Sequence, residues 1–358
     1  MRKKIVGMLT TATLLTMALA GNVQAAEIRS VGPDGEAAVD ASTIELTDDQ
    51  IAQIKEGGYT AAICLHYGGN DWSTSQQKGL EDTFGELGIE IVAVTDANFS
   101  AETQVSNIET VMAKKPDILV SIPTDATATA DAYKQAAAAG IKIVFMDQRA
   151  NGLEAGKDYV SVVSADNYGN GYASGTVLGD ALGGKGKVAM VSYDANFAPT
   201  NQRDEGFRDA MKNYPDIEIV TEQGFTDESG CAEQGDAILT QFPNIDGIYA
   251  SWDVPMEGVL SAVRAAGMEG KVTLACNDLG NNVAREIASG NIAGGGAQMP
   301  YDQGVAEAKL AALALLGEET PSYVAVPAET VTHENVLEAY TDVYHVETPD
   351  WLKEAYVE

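Results

Sequence analysis

Ten apolar runs of strand length alternate with amphipathic helical patterns between Tyr59 and Gln298, and this alternation leaves few folds open. The runs are Thr60–His66, Ile89–Val94, Ile118–Ile122, Ile141–Met146, Val160–Val163, Val188–Ser192, Ile217–Val220, Gly247–Ser251, Val272–Cys276 and Ile292–Gln298. Between them, Leu80, Phe84 and Leu87 recur at helical steps, as do Val105, Ile108 and Met112. A strand that is apolar throughout is buried on both faces. Such strands, separated by helices, predict parallel sheets covered by helices on each side, which is an α/β fold.

The pattern also doubles itself. Asp117 opens a strand, the next helix ends in Ala138-Ala139-Gly140, and a second strand runs to Asp147. Asp246 opens another strand, its helix ends in Ala265-Ala266-Gly267, and the second strand runs to Asp278. The units span 30 and 32 residues, and Asp125 and Asp253 follow the first strand of each. Two similar doubly wound lobes facing one cleft account for this, with chance likeness among βαβ units as the plainer alternative.

At either end the chain reads differently. Arg2, Lys3 and Lys4 precede an apolar run, Ile5–Ala20, and Val23 and Ala25 offer a cleavage site, so residues 1–25 read as a signal peptide. The run is shorter than the roughly 20 apolar residues of a membrane span. No cysteine follows it to carry a lipid anchor, so the expected product is exported and soluble. Residues 26–58 read as a linker and a short helix, the helix opened by a capping box from Thr47 to Gln50. A formal net charge of -31 makes nucleic acid and anionic lipid improbable partners. Of the three cysteines, Cys64 and Cys276 lie in strands as packing residues, and a Cys231–Cys276 disulfide stays open as an alternative.

In an open α/β protein, ligands bind beyond the carboxyl ends of the strands. Here those ends deliver Asn70 and Trp72, Asp147 and Gln148, Asn201, Trp252 and Asp253, Asn277 and Asp278, and Gln298. Carboxylates and amides accept hydrogen bonds from hydroxyls, and a tryptophan face covers the C–H face of a sugar ring. The plainer alternatives are helix caps for the aspartates and core packing for the tryptophans. Gly169, Gly171 and Gly175 form G-x-G-x-x-x-G, one residue too long for a dinucleotide fingerprint, and read as a capped, closely packed helix start. His66, His333 and His345 form no ligand or catalytic constellation, and no Walker sequence or G-x-S-x-G elbow occurs. The reading is a binder of a small polyhydroxylated molecule, without metal or cofactor and without an enzymatic role.

Taken in order, the stretches Gly69-Asn70-Asp71-Trp72, Val144-Phe145-Met146-Asp147, Ser164-Ala165-Asp166-Asn167, Arg203-Asp204-Glu205-Gly206-Phe207, Trp252-Asp253, Asn277-Asp278 and Gln298-Met299-Pro300-Tyr301-Asp302-Gln303-Gly304 resemble the periplasmic sugar-binding proteins of ABC importers, specifically the ribose-binding type. The resemblance runs from about Thr60 to Thr332. It implies a type I periplasmic binding protein: two lobes joined by a three-segment hinge, closing on one sugar and presenting the closed form to a membrane permease. The lobes would comprise residues 59–165 plus 299–326 and residues 166–298 plus 327–345, with a tail at 346–358, and the molecule is expected to be a monomer. By position it implies Asn70, Trp72, Asp147, Phe225, Trp252, Asp253, Asp278 and Gln298 as ligand contacts.

Gln148 and Asn201 stand where the ribose binders carry arginines, which favours a neutral ligand other than ribose: a hexose, a polyol or a cyclitol. Three rival readings remain. One is a secreted hydrolase drawing two carboxylates from Asp147, Asp253 and Asp278. Another is a sensory binding protein that signals to a receptor. The third is a cationic ligand held by the aspartates and aromatic faces.

Overall fold

The computed structural model describes residues 28–357; the signal-peptide reading falls on residues outside this range. Among the described residues, thirteen strands form two sheets. The first contains β1 (Val39–Asp40), β2 (Thr60–Leu65), β3 (Glu90–Asp96), β4 (Ile118–Ser121), β5 (Lys142–Met146), β6 (Ser161–Ala165) and β12 (Tyr323–Val326), in the order β1-β12-β6-β5-β4-β2-β3. The second contains β7 (Lys185–Tyr193), β8 (Asp216–Phe225), β9 (Gly247–Ala250), β10 (Thr273–Cys276), β11 (Gly294–Ala297) and β13 (Glu329–Thr332), in the order β13-β11-β10-β9-β7-β8. All pairings are parallel except β11 with β13.

Both faces of each sheet are covered, as the unbroken apolar runs require. Along β2, Ala61, Ile63 and Leu65 enter one core, while Ala62 and Cys64 enter another on the opposite face. Along β7, Ala189 and Val191 face one core and Val188 and Met190 the other. Each of the ten apolar runs overlaps a strand. The edge strand β8 continues past Val220 to Phe225 through partly exposed alternating residues, so its apolar run marks only its first half.

The doubling is structural. Asp117, just before β4, accepts a hydrogen bond from the backbone N–H of Thr60 at 2.8 Å. Asp246, just before β9, accepts one from that of Lys187 at 2.7 Å. The chain crosses between lobes three times: after β6, after β11, and between β12 and β13. In the first lobe the helix Asp71–Glu86 packs on the crossover helix Pro300–Leu315; in the second, Asn167–Ala181 packs on Ala198–Met211. Glycine permits the close approach: a Cβ on Gly171 would lie 1.8 Å from the carbonyl oxygen of Arg203. Asp166 caps that helix by accepting from the N–H of Gly169, so the glycine-rich stretch is a helix start.

Residues 28–58 do not behave as a free linker. β1 extends the first sheet, Ile54 of the helix Asp48–Gly57 is buried in the first lobe's core, and Thr47 and Gln50 form the capping box. The backbone N–H groups of Arg29 and Ser30 donate to Asp166 at 3.0 and 2.8 Å, at the first crossover. The tail likewise docks, with Leu352 of the helix Asp350–Ala355 buried in the second lobe. The three cysteines are buried free thiols, so no disulfide links Cys231 to Cys276. Among the described residues, no helix is long and apolar enough to cross a membrane.

Candidate functional site

The carboxyl ends of the two sheets face each other across a cavity lined from both lobes. Seven residues singled out in the sequence meet there: Asn70, Trp72, Asp147, Trp252, Asp253, Asp278 and Gln298. About 50 Å3 is open to the centre of a water-sized sphere.

Asp147 and Asp278 occupy equivalent places. Asp147 directly follows β5 and Asp278 lies two residues past the end of β10, both with left-handed backbone, φ 52° and 69°, a conformation that aspartate tolerates better than most residues. The N–H of Asp147 donates to the carbonyl of Val163 at 2.7 Å, and that of Asp278 to Gly296 at 2.8 Å. Asp147 accepts from the Ser164 hydroxyl at 2.9 Å, and Asp278 from the Gln298 amide at 2.8 Å. Burial raises the Asp147 carboxyl above its ordinary range, against the pull of Arg203. Asp253 accepts from the N–H groups of Val254 and Gly280 at 2.8 and 3.0 Å. Burial, then the Asp278 charge, pushes the Asp253 carboxyl up to about 8.

Arg203 was not among the expected contacts, yet it lines the cavity. Its Nη1 donates to Asp278 at 3.1 Å and its Nε to Asn167 at 2.8 Å. The walls are aromatic. His66 and Trp72 meet edge to face at 5.8 Å, Tyr67 stacks on Phe99 at 4.1 Å, and Phe197 of the second lobe stacks on His66 at 5.9 Å. Burial lowers the His66 pKa to about 3, so its imidazole is neutral at physiological pH. Trp252 packs against Phe225 at 5.0 Å and Tyr193 at 5.5 Å, and its Nε1 donates to Glu228 at 2.8 Å.

Three expected contacts lie elsewhere. Gln148 is buried but turned away, donating to the carbonyl of Pro123 at 2.9 Å and accepting from the N–H of Ala198 in the second lobe at 3.3 Å. Asn201 is exposed beside Asp204 and Glu205, on a separate groove. Phe225 sits behind Trp252 in the core and does not line the cavity. Asn277 is fully buried, bonded to Tyr249 and Ser174. The argument for a neutral ligand rested on amides at 148 and 201. Neither lines the cavity and Arg203 does, so these two positions do not favour a neutral ligand.

Comparison with known proteins fits this architecture. The periplasmic binding protein domain model matches residues 61–319. The D-ribose/D-allose-binding protein of Pseudomonas aeruginosa is 29% identical over 273 residues, covering 73% of this chain and 83% of that protein. A periplasmic solute-binding protein of an ABC transporter from Actinobacillus succinogenes, solved with bound D-allose, superposes with a TM-score of 0.71 at 28% identity, covering 78% of this chain and 99% of that one. A solute-binding protein from Agrobacterium vitis, bound with α-D-tagatopyranose, gives 0.74 at 26% identity, covering 80% and 98%. The two lobes match the type I periplasmic binding protein fold. With the family match spanning most of the chain, this protein belongs to the periplasmic binding protein family, among the sugar-binding proteins of ABC transporters.

Proposed function

We propose that this chain is an exported, monomeric solute-binding protein that closes its lobes on a single monosaccharide or sugar alcohol and delivers it to an ABC permease. It performs no chemistry on the ligand. The observation that carries this reading is the cavity walled from both lobes, with Asn70, Trp72 and Asp147 on one side and Trp252, Asp253 and Asp278 on the other. A ligand touching both walls binds the closed form better than the open one, and that difference in affinity is sufficient to drive closure. Aromatic faces flanking charged acceptors suit a ring with apolar faces and a hydroxylated rim.

The test is a thermal-shift screen of the purified protein against hexoses, pentoses, polyols, cyclitols and their amino derivatives, followed by calorimetry and small-angle scattering on the hits. A ligand at 100 times its Kd stabilises by about 2.7 kcal/mol, which such a screen resolves. Expected are a stoichiometry of one, a smaller radius of gyration on binding, and a shift in tryptophan fluorescence from Trp72 and Trp252. Absence of binding by every carbohydrate would remove the sugar reading, and an unchanged radius would remove hinge closure.

A further inference from the structure

Three carboxylates line the cavity, from Asp147, Asp253 and Asp278, and Arg203 is the single lysine or arginine beside them. Arg203 is already paired with Asp278 at 3.1 Å. Burial keeps the cavity's histidine, His66, uncharged above acid pH, so it supplies no second cation. Beyond the lining, Glu257 adds its field to that of Asp278 on Asp253.

The hydrogen-bonding character of one corner is equally one-sided. Gln298 spends its amide N–H on Asp278, and its Oε1 is buried without a protein partner. Gln298 is only 4% exposed. The carboxylates of Asp253 and Asp278 line the same cavity as acceptors, together with the rings of Trp72, Trp252 and Tyr67. A primary ammonium is the group that has three donors and no acceptor. It is attracted to carboxylates and to aromatic faces alike. In the unliganded protein burial keeps a proton on Asp253, and an ammonium seated beside it supplies the counter-charge that lets this carboxyl ionise, which a neutral ring does not.

We propose that the ligand carries a protonated primary amine on a hydroxylated ring, an amino sugar or an aminocyclitol, with the ammonium seated among Asp253, Asp278 and Gln298. This rests on the sugar-binding reading and narrows it to a cationic class.

The test is calorimetry at pH 6 and low ionic strength with matched sets: D-glucosamine, D-galactosamine and scyllo-inosamine, each beside its neutral parent and its N-acetyl derivative. At least one amine is expected to bind tenfold or more tightly than both its counterparts, the difference between charged and neutral hydrogen bonds being roughly that large. Asp253→Asn should cut the affinity of that amine about tenfold more than it cuts that of the neutral parent. A neutral parent that binds as tightly as its amine, or an Asp253→Asn effect equal on both, overturns the cationic assignment and leaves the sugar reading standing. If nothing in any set binds, both fall. Should Asp253→Asn fail to fold, the wild-type comparison of amine with parent decides the matter alone.

Discussion

Asp71 of the first lobe accepts two hydrogen bonds from Asn281 of the second, from its backbone N–H at 2.7 Å and its side-chain amide at 2.8 Å. Asn281 opens the helix Asn281–Ala288, where free N–H groups and the helix dipole favour a carboxylate. Asp253 accepts from the preceding N–H, that of Gly280. One helix end therefore receives an aspartate that lines the cavity and one that bridges the lobes without lining it. Asp71→Ala removes contacts that exist only when the lobes are together, so it should weaken every ligand by the same factor, about three- to tenfold. The loss should lie in faster release, read by stopped-flow fluorescence. A change in the ranking of ligands would show instead that Asp71 acts on the ligand itself.

The amino-terminal arm ties the lobes at the hinge. Ser30 Oγ accepts from the N–H of Tyr168, Asp166 accepts from Arg29 and Ser30, and Arg29 lies over the ring of Tyr172 at 4.1 Å. A few residues on, Asp34 pairs with Arg149 of the first lobe at 2.6 Å, and β1 joins the first sheet. The Asp34 pair is half in solvent and contributes little alone; the contacts at Asp166 are buried or half-buried. The double variant Ser30→Ala, Asp34→Ala should open the unliganded protein further and raise its radius of gyration while leaving the bound form unchanged. Identical scattering curves for variant and wild type without ligand would mean that the arm does not restrain the hinge.

The strands and the doubling were legible because burial on both faces leaves an unbroken apolar run, and because Asp117 and Asp246 mark equivalent strand starts. Asp147 and Asp278 were legible for the same reason. Arg203 was not. It lies inside a helix, and it reaches the cavity because Gly171 lets two helices approach, a proximity between residues 32 apart that no local pattern records. Asn201, two positions earlier, points about 200° away around the same helix and so faces solvent. Gln148 turns away from the cavity because the left-handed turn at Asp147 directs the next side chain toward Pro123. Phe197 completes the aromatic wall by stacking on His66 across the cleft, with Tyr193 packed beside it in the second lobe, and strand-end reasoning within one lobe does not reach that stack. The arm was hidden by its polar, aperiodic composition: it is held by backbone donors and by Asp166, not by an apolar stripe.

Asp253 ties ligand capture to stability. Its carboxyl is raised from 3.8 to about 8 by burial first, then by Asp278, with Glu257 adding to the effect. In the unfolded chain the group ionises near its ordinary value; in the folded, unliganded protein it holds its proton to much higher pH. The folded state thus binds the extra proton, and stability is lost as pH rises from about 4 towards 8. Asparagine keeps an acceptor oxygen for one of the two N–H groups, of Val254 and Gly280, that Asp253 accepts on separate oxygens, and it has no charge to bury. Asp253→Asn should therefore raise the melting temperature of the unliganded protein, with a gain small at pH 4, larger at pH 6 and largest at pH 8. Calorimetric melting across that range is the measurement. A gain that is constant with pH would mean that the carboxyl titrates near its ordinary value in the folded protein, and a melting temperature lowered throughout would mean that its two backbone hydrogen bonds outweigh the strain of burying its charge.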